Sequence, residues 1–220
     1  MDTSTNAHEV STVKSFEPTS GEQLESALAE AETCFECWKR KSYSERATVL
    51  RKAASGLREV GAEMGMDPSR AEVQFSADIL DHSADHAESF PAPTKRHAKV
   101  GQADSPPLGV LFCVEPWNFP YYQLARVAGP QLMAGNVLVV RHAGSTLQGA
   151  TVLERLLRYA GAPVGAYTNL FLSHEQADRV MTDPRIKGVA LTGGLEPGRV
   201  VGAWRNLKNA SAPLLPQRPR

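Results

Sequence analysis

Residues 108–141 of this 220-residue chain, LGVLFCVEPWNFPYYQLARVAGPQLMAGNVLVVR, decide its fold. They begin with a run, 108–114, that is apolar on both faces and too short for a helix, which predicts a buried strand. Pro116 ends this strand, because proline cannot donate a ladder hydrogen bond. A helix is expected over 121–134 and a second buried strand over 136–140. The stretch therefore predicts a strand–helix–strand unit with parallel strands.

The same alternation continues towards the C-terminus. Helical spacing of apolar residues predicts a helix over 146–160, and short apolar runs predict strands at 168–172 and 186–191. Ser173 and Gln176 have the spacing of a capping box, which places a helix start between those two strands. Strands that alternate with helices through short loops are typical of a doubly wound parallel sheet. We therefore expect an α/β fold, Rossmann-like, with about four strands.

The first third of the chain predicts helices instead of strands. Residues 1–20 are polar and rich in Ser and Thr, and we interpret them as an extension. Capping boxes at 20–23 and 42–45 begin two amphipathic helices, and an Asp-Pro pair at 67–68 begins a third. Gly61 is the expected end of the second helix. Three such helices in succession predict an N-terminal helical layer that precedes the sheet.

Composition and charge narrow the class of protein. Hydrophobic residues make up 42% and charged residues 22% of the chain, which is ordinary for a soluble globular protein. The formal net charge is zero, so bulk electrostatics give no reason to expect nucleic acid or membrane binding. No segment has the length and apolarity of a transmembrane helix, and the polar start lacks the basic region of a signal peptide. Three cysteines give no disulfide framework, and we expect a cytoplasmic protein.

Two residue pairs have the spacing of metal or redox sites. Cys34 and Cys37 form a Cys-x-x-Cys, but it lies inside an amphipathic helix and has no second cysteine pair. His82 and His86 stand four apart on one helical face with aspartates nearby, which makes a metal geometrically conceivable. For the cysteines, spacing without a supporting context is weak evidence of function, and for the histidines we favour a solvated, titratable helix face. We therefore expect no metal site.

Two loops at the carboxyl ends of predicted strands carry candidate binding residues. Ligands of open α/β sheets bind at these ends. In the loop 116–120, two prolines stiffen Trp117-Asn118-Phe119, and the Asn118 carboxamide could donate a hydrogen bond to a developing oxyanion. The alternative is a stiff connection whose aromatic rings pack on the core. In 192–198, glycines between a strand and a helix allow the backbone to approach a pyrophosphate.

The sequence from 109 to 143 also resembles a known family. Its Pro-Trp-Asn-Phe-Pro pentapeptide, followed by Ala134-Gly135-Asn136 and a strand that ends in a cation, is similar to the aldehyde dehydrogenase superfamily, nearest to its succinate-semialdehyde dehydrogenase-type members. The resemblance extends, with breaks, from about Phe16 to about Asn209. It implies a protein that oxidises an aldehyde, such as a semialdehyde, to the acid with NAD or NADP. Its small-molecule partners would be that aldehyde and the nicotinamide cofactor.

The resemblance also implies roles for single residues. Asn118 resembles the side-chain donor of the oxyanion hole. Arg141 stands where the family usually has a lysine that hydrogen-bonds the adenosine ribose, although a solvated strand-end cation is the alternative. Gly144 stands where many NAD-preferring members carry a glutamate, and without that carboxylate to repel a 2′-phosphate the sequence leans toward tolerance of NADP. The expected cofactor-binding residues are Pro116, Trp117, Arg141, His142, Ala143, Gly193, Gly194 and Gly198.

The sequence also departs from the family pattern. The family's general base is a glutamate in a Glu-Leu-Gly-Gly motif expected shortly after Asn209, and its nucleophilic cysteine lies further on. Neither matches a residue here, and Cys113 in the buried strand is interpreted as a packing residue. We therefore expect a chain without turnover, whose sheet ends one strand early with an exposed edge. Two alternatives remain open: a non-catalytic nucleotide-binding module, and a decayed or interaction-only fragment that docks on a full-length relative.

Together these interpretations predict four segments. They are a polar extension over 1–20, a helical segment over 21–105 that packs on the cofactor domain, an incomplete NAD(P)-binding α/β domain over 106–206, and a disordered, basic, proline-rich tail over 207–220. Between residues 58 and 71 the chain is shorter than the family pattern, so a change of packing is expected there.

Overall fold

The computed structural model describes residues 2–5, 12–63, 69–86, 106–142, 147–194, 198–199 and 201–202. The strands in this part of the chain are β1 (Asp2–Thr5), β2 (Thr12–Phe16), β3 (Val110–Glu115), β4 (Val137–His142), β5 (Tyr167–Leu170) and β6 (Ile186–Leu191). The helices are α1 (Gly21–Trp38), α2 (Tyr43–Glu63), α3 (Arg70–His86), α4 (Pro120–Met133), α5 (Leu147–Tyr159) and α6 (His174–Thr182). The predicted helix start at 67–68 and the predicted tail over 207–220 lie outside the described residues.

The strands β3 to β6 form one parallel sheet in the order β5-β4-β3-β6. Counted along the chain, this is the third-second-first-fourth order of a dinucleotide-binding half. β3 pairs with β4 in a regular ladder from Val110 opposite Val137 to Glu115 opposite His142. The predicted doubly wound α/β fold with four parallel strands is confirmed. The bounds of three strands differ: β3 begins at Val110 instead of 108, β4 continues two residues beyond the predicted end, and β5 spans Tyr167–Leu170 where 168–172 was predicted.

Helices cover both faces of this sheet. Right-handed connections put α4 and α5, which lead from β3 to β4 and from β4 to β5, on one face. The connection through α6 runs in the opposite direction across the sheet, so α6 lies on the other face. α1 packs against β3, β4 and β5, and an ion pair joins it to the turn before β6, with Arg185 Nη1 2.6 Å from Glu25 Oε1. Burial on both faces explains why the central strands β3 and β4 are apolar over most of their length.

The three N-terminal helices divide between two places. α1 covers the sheet directly, whereas α2 and α3 pack on each other and on α4 and α5. The predicted helical layer is thus an α2–α3 pair outside α4 and α5, with α1 apart from it. The predicted capping boxes are all present, each with its Ser Oγ accepting from the N–H three residues on, at 3.1 Å for Gln23, 3.2 Å for Glu45 and 3.1 Å for Gln176.

The prediction that Gly61 ends the second helix is wrong. α2 continues to Glu63, and Gly61 lies buried within it. A Cβ at this position would lie 3.4 Å from Val73 Cγ1 in α3, which is ordinary contact. The glycine therefore sits at the α2–α3 contact as a small residue and forms no left-handed cap.

The N-terminal segment contains a hairpin that the sequence analysis did not predict. β1 and β2 pair antiparallel, from Asp2 opposite Phe16 to Thr5 opposite Thr12, with one irregularity in register. The interpretation of 1–20 as a polar extension misses this hairpin. Its strands are rich in Thr and Ser, so they lack the apolar alternation that identifies a half-buried strand.

One contiguous core joins the N-terminal helices to the sheet. Trp38, at the end of α1, is fully buried, and its Nε1 donates to the carbonyl oxygen of Leu132 near the end of α4 at 3.0 Å. Phe112 in β3 and Leu138 in β4 are also fully buried. Burial of a side chain of this size contributes about 1.5–3 kcal/mol. The helices and the sheet therefore stabilise each other.

Candidate cofactor and active site

The loop after β3 turns sharply into α4. Phe119 precedes the helix with φ 53° and ψ 60°, in the left-handed region, and its side chain makes no cap. Pro120 is the first helical residue, where its missing N–H is tolerated. The cap comes from α3, because Glu72 Oε1 accepts from the N–H groups of Tyr121 at 2.7 Å and Tyr122 at 3.0 Å. Glu72 therefore holds the start of α4, and with it the end of the loop.

Replacing Glu72 with alanine is expected to lower the free energy of unfolding by about 1–2 kcal/mol, because two helix N–H groups lose their acceptor. Glu72→Gln keeps one amide oxygen and is expected to lose about half as much. Urea unfolding followed by circular dichroism measures both changes. Glu32→Ala, at an exposed glutamate of α1, is the control, with an expected change below about 0.5 kcal/mol. Equal losses at the two positions would contradict the capping role.

The side chains of this loop face outward. Trp117 is 69% exposed and Phe119 is 59% exposed, which contradicts the alternative that both rings pack on the core. Asn118 is half-buried, and its carboxamide has no hydrogen-bond partner among the residues that the structure describes. An amide in this state can donate to a ligand oxygen on which negative charge develops.

Beside this loop lies an apolar groove of about 540 Å³ between α3 and the start of α4. It is lined by Ser69, Ala71, Glu72, Phe75, Phe119 and Tyr122. The rings of Phe75 and Tyr122 stack with their centroids 5.7 Å apart, and the Arg126 guanidinium lies 5.9 Å from the Tyr122 centroid. The sequence analysis did not identify this groove. Its signal in the sequence was Phe75, a large aromatic residue outside the apolar face of α3.

The end of β4 carries two of the predicted cofactor residues. Arg141 Nε donates to the carbonyl oxygen of Leu172 at 3.0 Å, so the protein holds this guanidinium and it is not a merely solvated cation. His142 is buried and lies opposite Glu115 in the parallel ladder. Ala143, the next predicted residue, lies outside the described residues, as does Gly144. The cofactor contacts of these residues remain predictions.

The loop after β6 carries the glycines. Thr192 N donates to Val114 O at 3.0 Å, which continues the ladder beyond the strand. Gly193 and Gly194 are exposed, and a Cβ at either position would meet no atom closer than 4.0 Å. Gly198 N donates to Gly194 O at 3.3 Å. Packing within the described residues therefore does not require these glycines, and the open space around them fits the approach of a pyrophosphate to the backbone.

The strand order brings the three loops to one edge of the sheet. β3 lies between β4 and β6, so the loops after all three strands are neighbours. The chain leaves β3 toward β4 and later returns to the other side of β3 as β6, and ligands of open α/β sheets bind at such a switch point. The exposed indole of Trp117, the carboxamide of Asn118 and the open backbone at Gly193 converge there. These features fit a dinucleotide with an aromatic base and a charged pyrophosphate.

Glu115, the last residue of β3, is a site residue that the sequence analysis missed. Its side chain is only 3% exposed. Burial raises its pKa to about 7, while a hydrogen bond with the Thr192 side chain and the positive charge of Arg126 oppose the rise. Arg126 Nη2 in turn donates to Thr192 Oγ1 at 2.7 Å, so these side chains connect α4 with the ends of β3 and β6. In the sequence Glu115 resembles a polar strand end, and only the pairing of β3 on both sides reveals its burial.

None of the cysteines lies in these loops. Cys113 is fully buried within β3, and burial raises the pKa of its thiol. Cys34 is buried in α1 with a pKa raised to about 11 by burial, and Cys37 is exposed on the same helix. A buried thiol with a raised pKa is a poor nucleophile at neutral pH. Within the described residues, Asn118 therefore has no thiolate beside it.

The histidine pair of α3 lies on a face that joins two helices. The rings of His82 and His86 stack with centroids 4.1 Å apart. The neighbouring carboxylates of Asp78 and Asp81 both contact Arg58 Nη2 of α2, at 2.8 Å and 2.7 Å. His82 and His86 are both exposed, which confirms the predicted solvated face, and the aspartates of this face also form ion pairs between α2 and α3. Across the described ranges, no group of three or more possible metal ligands occurs, and no helix is long and apolar enough to cross a membrane.

A second depression of about 420 Å³ lies between α2 and the end of α5. Lys52 and Glu59 of α2 and Leu156 and Tyr159 of α5 are among its lining residues. The end of α5 leads into the start of β5, so this depression lies toward the amino edge of the sheet, away from the three loops. It contains none of the predicted site residues.

Comparison with known proteins finds a matching family and relatives within it. The model of the aldehyde dehydrogenase family matches residues 3–214. Succinate-semialdehyde dehydrogenase (NADP(+)) of Deinococcus radiodurans is 35% identical over 217 residues, which cover 92% of this chain and 46% of that protein. An aldehyde dehydrogenase of Paenarthrobacter nicotinovorans is 33% identical, with coverage of 90% and 47%.

Solved structures give the same result. Gox0499 superposes with a TM-score of 0.85 at 39% identity, over 94% of this chain and 48% of that one. Succinic semialdehyde dehydrogenase from Streptococcus pyogenes, solved with NADP+, superposes with a TM-score of 0.79 at 31% identity, over 91% and 47%. The chain thus spans about half the length of the relatives it matches. The family model covers nearly all of it, and the chain belongs to the aldehyde dehydrogenase family.

Proposed function

We propose that this chain is the cofactor-binding portion of an NAD(P)-dependent oxidoreductase of aldehydes, and that its 220 residues bind the dinucleotide without turnover. One observation carries the proposal: three loops meet at the switch point of a sheet in Rossmann order. Bound NAD(P)+ would supply the hydride acceptor. The boundary between helical segment and cofactor domain at residues 105 and 106, and a cytoplasmic location, are part of the same proposal.

Each loop would hold a different part of the cofactor. Gly193 and Gly194 leave room for a pyrophosphate, and Arg141 supplies a positive charge held in place by Leu172. A guanidinium binds phosphate by paired hydrogen bonds, which favours tolerance of the 2′-phosphate of NADP. The name of the Deinococcus radiodurans relative and the NADP+ in the Streptococcus pyogenes structure support this preference. We therefore propose that the chain binds NADP at least as tightly as NAD.

The substrate side of the proposal rests on the groove beside Asn118. Its walls are apolar, and Arg126 lies over the ring of Tyr122 in one of them. An apolar groove next to a cation suits an aliphatic aldehyde that carries a carboxylate at its far end. A semialdehyde is therefore the proposed substrate class of the complete enzyme. Asn118 would donate to the aldehyde oxygen as negative charge develops on it.

Calorimetric titration with NADP and NAD tests the cofactor proposal. Both are expected to bind, and Arg141→Ala is expected to weaken NADP by about tenfold, because a charge-assisted hydrogen bond is worth about 1.5–3 kcal/mol. NAD should lose less, since it lacks the 2′-phosphate. Arg158→Ala, at an exposed arginine near the end of α5, is the matched control and should leave both affinities unchanged. No binding of either dinucleotide at millimolar concentration would contradict the proposal.

The absence of turnover is tested by following NADPH absorbance with succinic semialdehyde as the substrate. No production is expected, because oxyanion stabilisation by Asn118 cannot replace a nucleophile and a base that act together. Aldehyde-dependent production by the purified chain, abolished in Asn118→Ala, would overturn this expectation.

A second candidate function is association with a full-length relative. β6 is one of the two outer strands of the described sheet, and its residues from Gly188 to Leu191 are half-buried, whereas those of β3 and β4 are mostly buried. A partly uncovered edge strand can pair with another chain. Sedimentation of the chain mixed with the Deinococcus radiodurans relative tests this, and independent sedimentation of the two would exclude it.

A further inference from the structure

Glu115 lies at the switch point of the sheet, between the loop that begins at Pro116 and the loop that begins at Thr192. Its Oε2 atom is buried and has no hydrogen-bond partner among the described residues. A carboxylate oxygen left buried without a donor is unfavourable. A strand that only needed to end here would be more stable with an apolar residue. The position of this carboxyl, under two of the three cofactor loops, points to a role in the crevice.

The groups around Glu115 come from every element that packs against it. Cys113 lies on the same strand as Glu115, and Tyr167 lies on β5. Burial raises the pKa of both side chains, and the charge of Glu115 adds to the rise, so both are neutral near pH 7. On β4 the neighbour in register is His142. Arg126 of α4 and the Thr192 side chain after β6 are the groups that lower its pKa.

The carboxylate of Glu154 in α5 lies farther along the same face. It accepts from the N–H and the side-chain amide of Asn169, both at 3.1 Å, and it contributes to raising the pKa of Tyr167. These hydrogen bonds hold the Glu154 carboxylate against β5. A test of Glu115 must therefore separate it from the His142 imidazole, which lies opposite it in the β3–β4 ladder.

We propose that Glu115 is a positioning residue of the cofactor crevice, which joins the loops after β3 and β6 through Thr192 and whose charge sets how tightly an anionic dinucleotide binds. This inference rests on the proposed binding of NAD(P). In the neutral form, the carboxyl keeps its bond to Thr192 without placing a buried negative charge beneath the pyrophosphate. In the ionised form, that charge repels the pyrophosphate through a medium of low dielectric. Dinucleotide affinity therefore falls as pH rises through neutrality.

The test is a titration with NAD at about pH 6 and about pH 8, because the 2′-phosphate of NADP itself titrates with a pKa of about 6. The dissociation constant of the wild-type chain is expected to rise about fivefold between these values, as for a modest coupling between two sites. Glu115→Gln keeps the size and the hydrogen bond but cannot ionise. Its dissociation constant is expected to stay constant within about twofold and to match the wild type at the lower pH.

Two further variants identify the titrating group. His142→Asn removes the imidazole that lies opposite Glu115 in the ladder and should keep the fivefold ratio between the two pH values. Thr192→Val removes the hydrogen bond that lowers the pKa of Glu115, so the midpoint of the pH profile should move upward. A purely structural role of Glu115 would leave that midpoint in place.

The outcomes separate the two proposals. A fivefold change that persists in Glu115→Gln, or that disappears in His142→Asn, overturns the inference while leaving NAD binding intact. Failure of NAD to bind at either pH contradicts the proposed function and this inference with it.

The urea midpoint gives a readout that needs no cofactor. Because the folded chain holds the proton of Glu115 more tightly than the unfolded chain, wild-type stability relative to Glu115→Gln should fall as pH rises from 4.5 to about 7. Identical pH dependence of the two urea midpoints would also overturn the inference.

Discussion

Replacing Trp38 with alanine is expected to lower the free energy of unfolding by about 3–5 kcal/mol, the range for truncation of a fully buried aromatic residue. Trp38 has no exposed surface, and its indole N–H donates to Leu132 O, 94 residues away along the chain. The truncation would leave a cavity between α1 and α4 and a buried carbonyl without its donor. The effect would show that α1 is docked on α4 through Trp38.

Two other variants separate the components of this loss. Trp38→Phe keeps much of the volume but removes the donor, so its loss should be smaller, about 1–3 kcal/mol. Tyr159→Ala removes an aromatic ring that is 83% exposed and should change stability by less than about 0.5 kcal/mol. Urea unfolding followed by circular dichroism measures all three. A loss below about 1 kcal/mol in Trp38→Ala would mean that α1 is not docked as described.

Gly165→Ala is expected to be the most disruptive change in the loop between α5 and β5. Gly165 has φ +88°, and a Cβ there would lie 2.6 Å from the carbonyl oxygen of Glu30 and 2.9 Å from Cys34 Cβ. Both contacts are with α1, so the substitution must push that helix off the sheet. Backbone strain of about 1–2 kcal/mol and overpacking of about 1–3 kcal/mol add to a loss of about 2–5 kcal/mol.

The same loop offers a matched control. Gly161 has φ +101°, but a Cβ there would meet no atom within 4 Å. Gly161→Ala therefore carries the backbone strain alone, about 1–2 kcal/mol. The difference between the two variants, measured by urea unfolding, isolates the close approach of α1 to the loop. Equal losses would contradict that approach.

The sheet could be predicted from the sequence because its signal is local. The strands were predicted from short apolar runs, and the helices from the helical spacing of their apolar residues or from a capping box such as Ser173 with Gln176. The arrangement of α1 against α2 and α3 could not be predicted, because all three show the same amphipathic pattern. The β1–β2 hairpin was not predicted, because Thr- and Ser-rich strands pair through their backbones without the apolar alternation that identifies a strand in the sequence.

The site likewise has one group of residues that the sequence could predict and another that it could not. The loops with Asn118 and Gly193 could be predicted from their positions after strands, and the strand order then brought them together. Glu72 and Glu115 could not be predicted, since one acts across 49 residues and the other is buried by neighbours on both sides. Their roles depend on tertiary contacts that no local pattern records.

The central claim is that the dinucleotide binds where the loops after β3, β4 and β6 meet. Amide chemical shifts of the labelled chain during titration with NADP test it most directly. The account predicts saturable shifts concentrated at Trp117 and Asn118, at Arg141 and at Gly193 and its neighbours, with little change elsewhere. Shifts concentrated instead around the depression between α2 and α5, or the absence of saturable shifts, would contradict it.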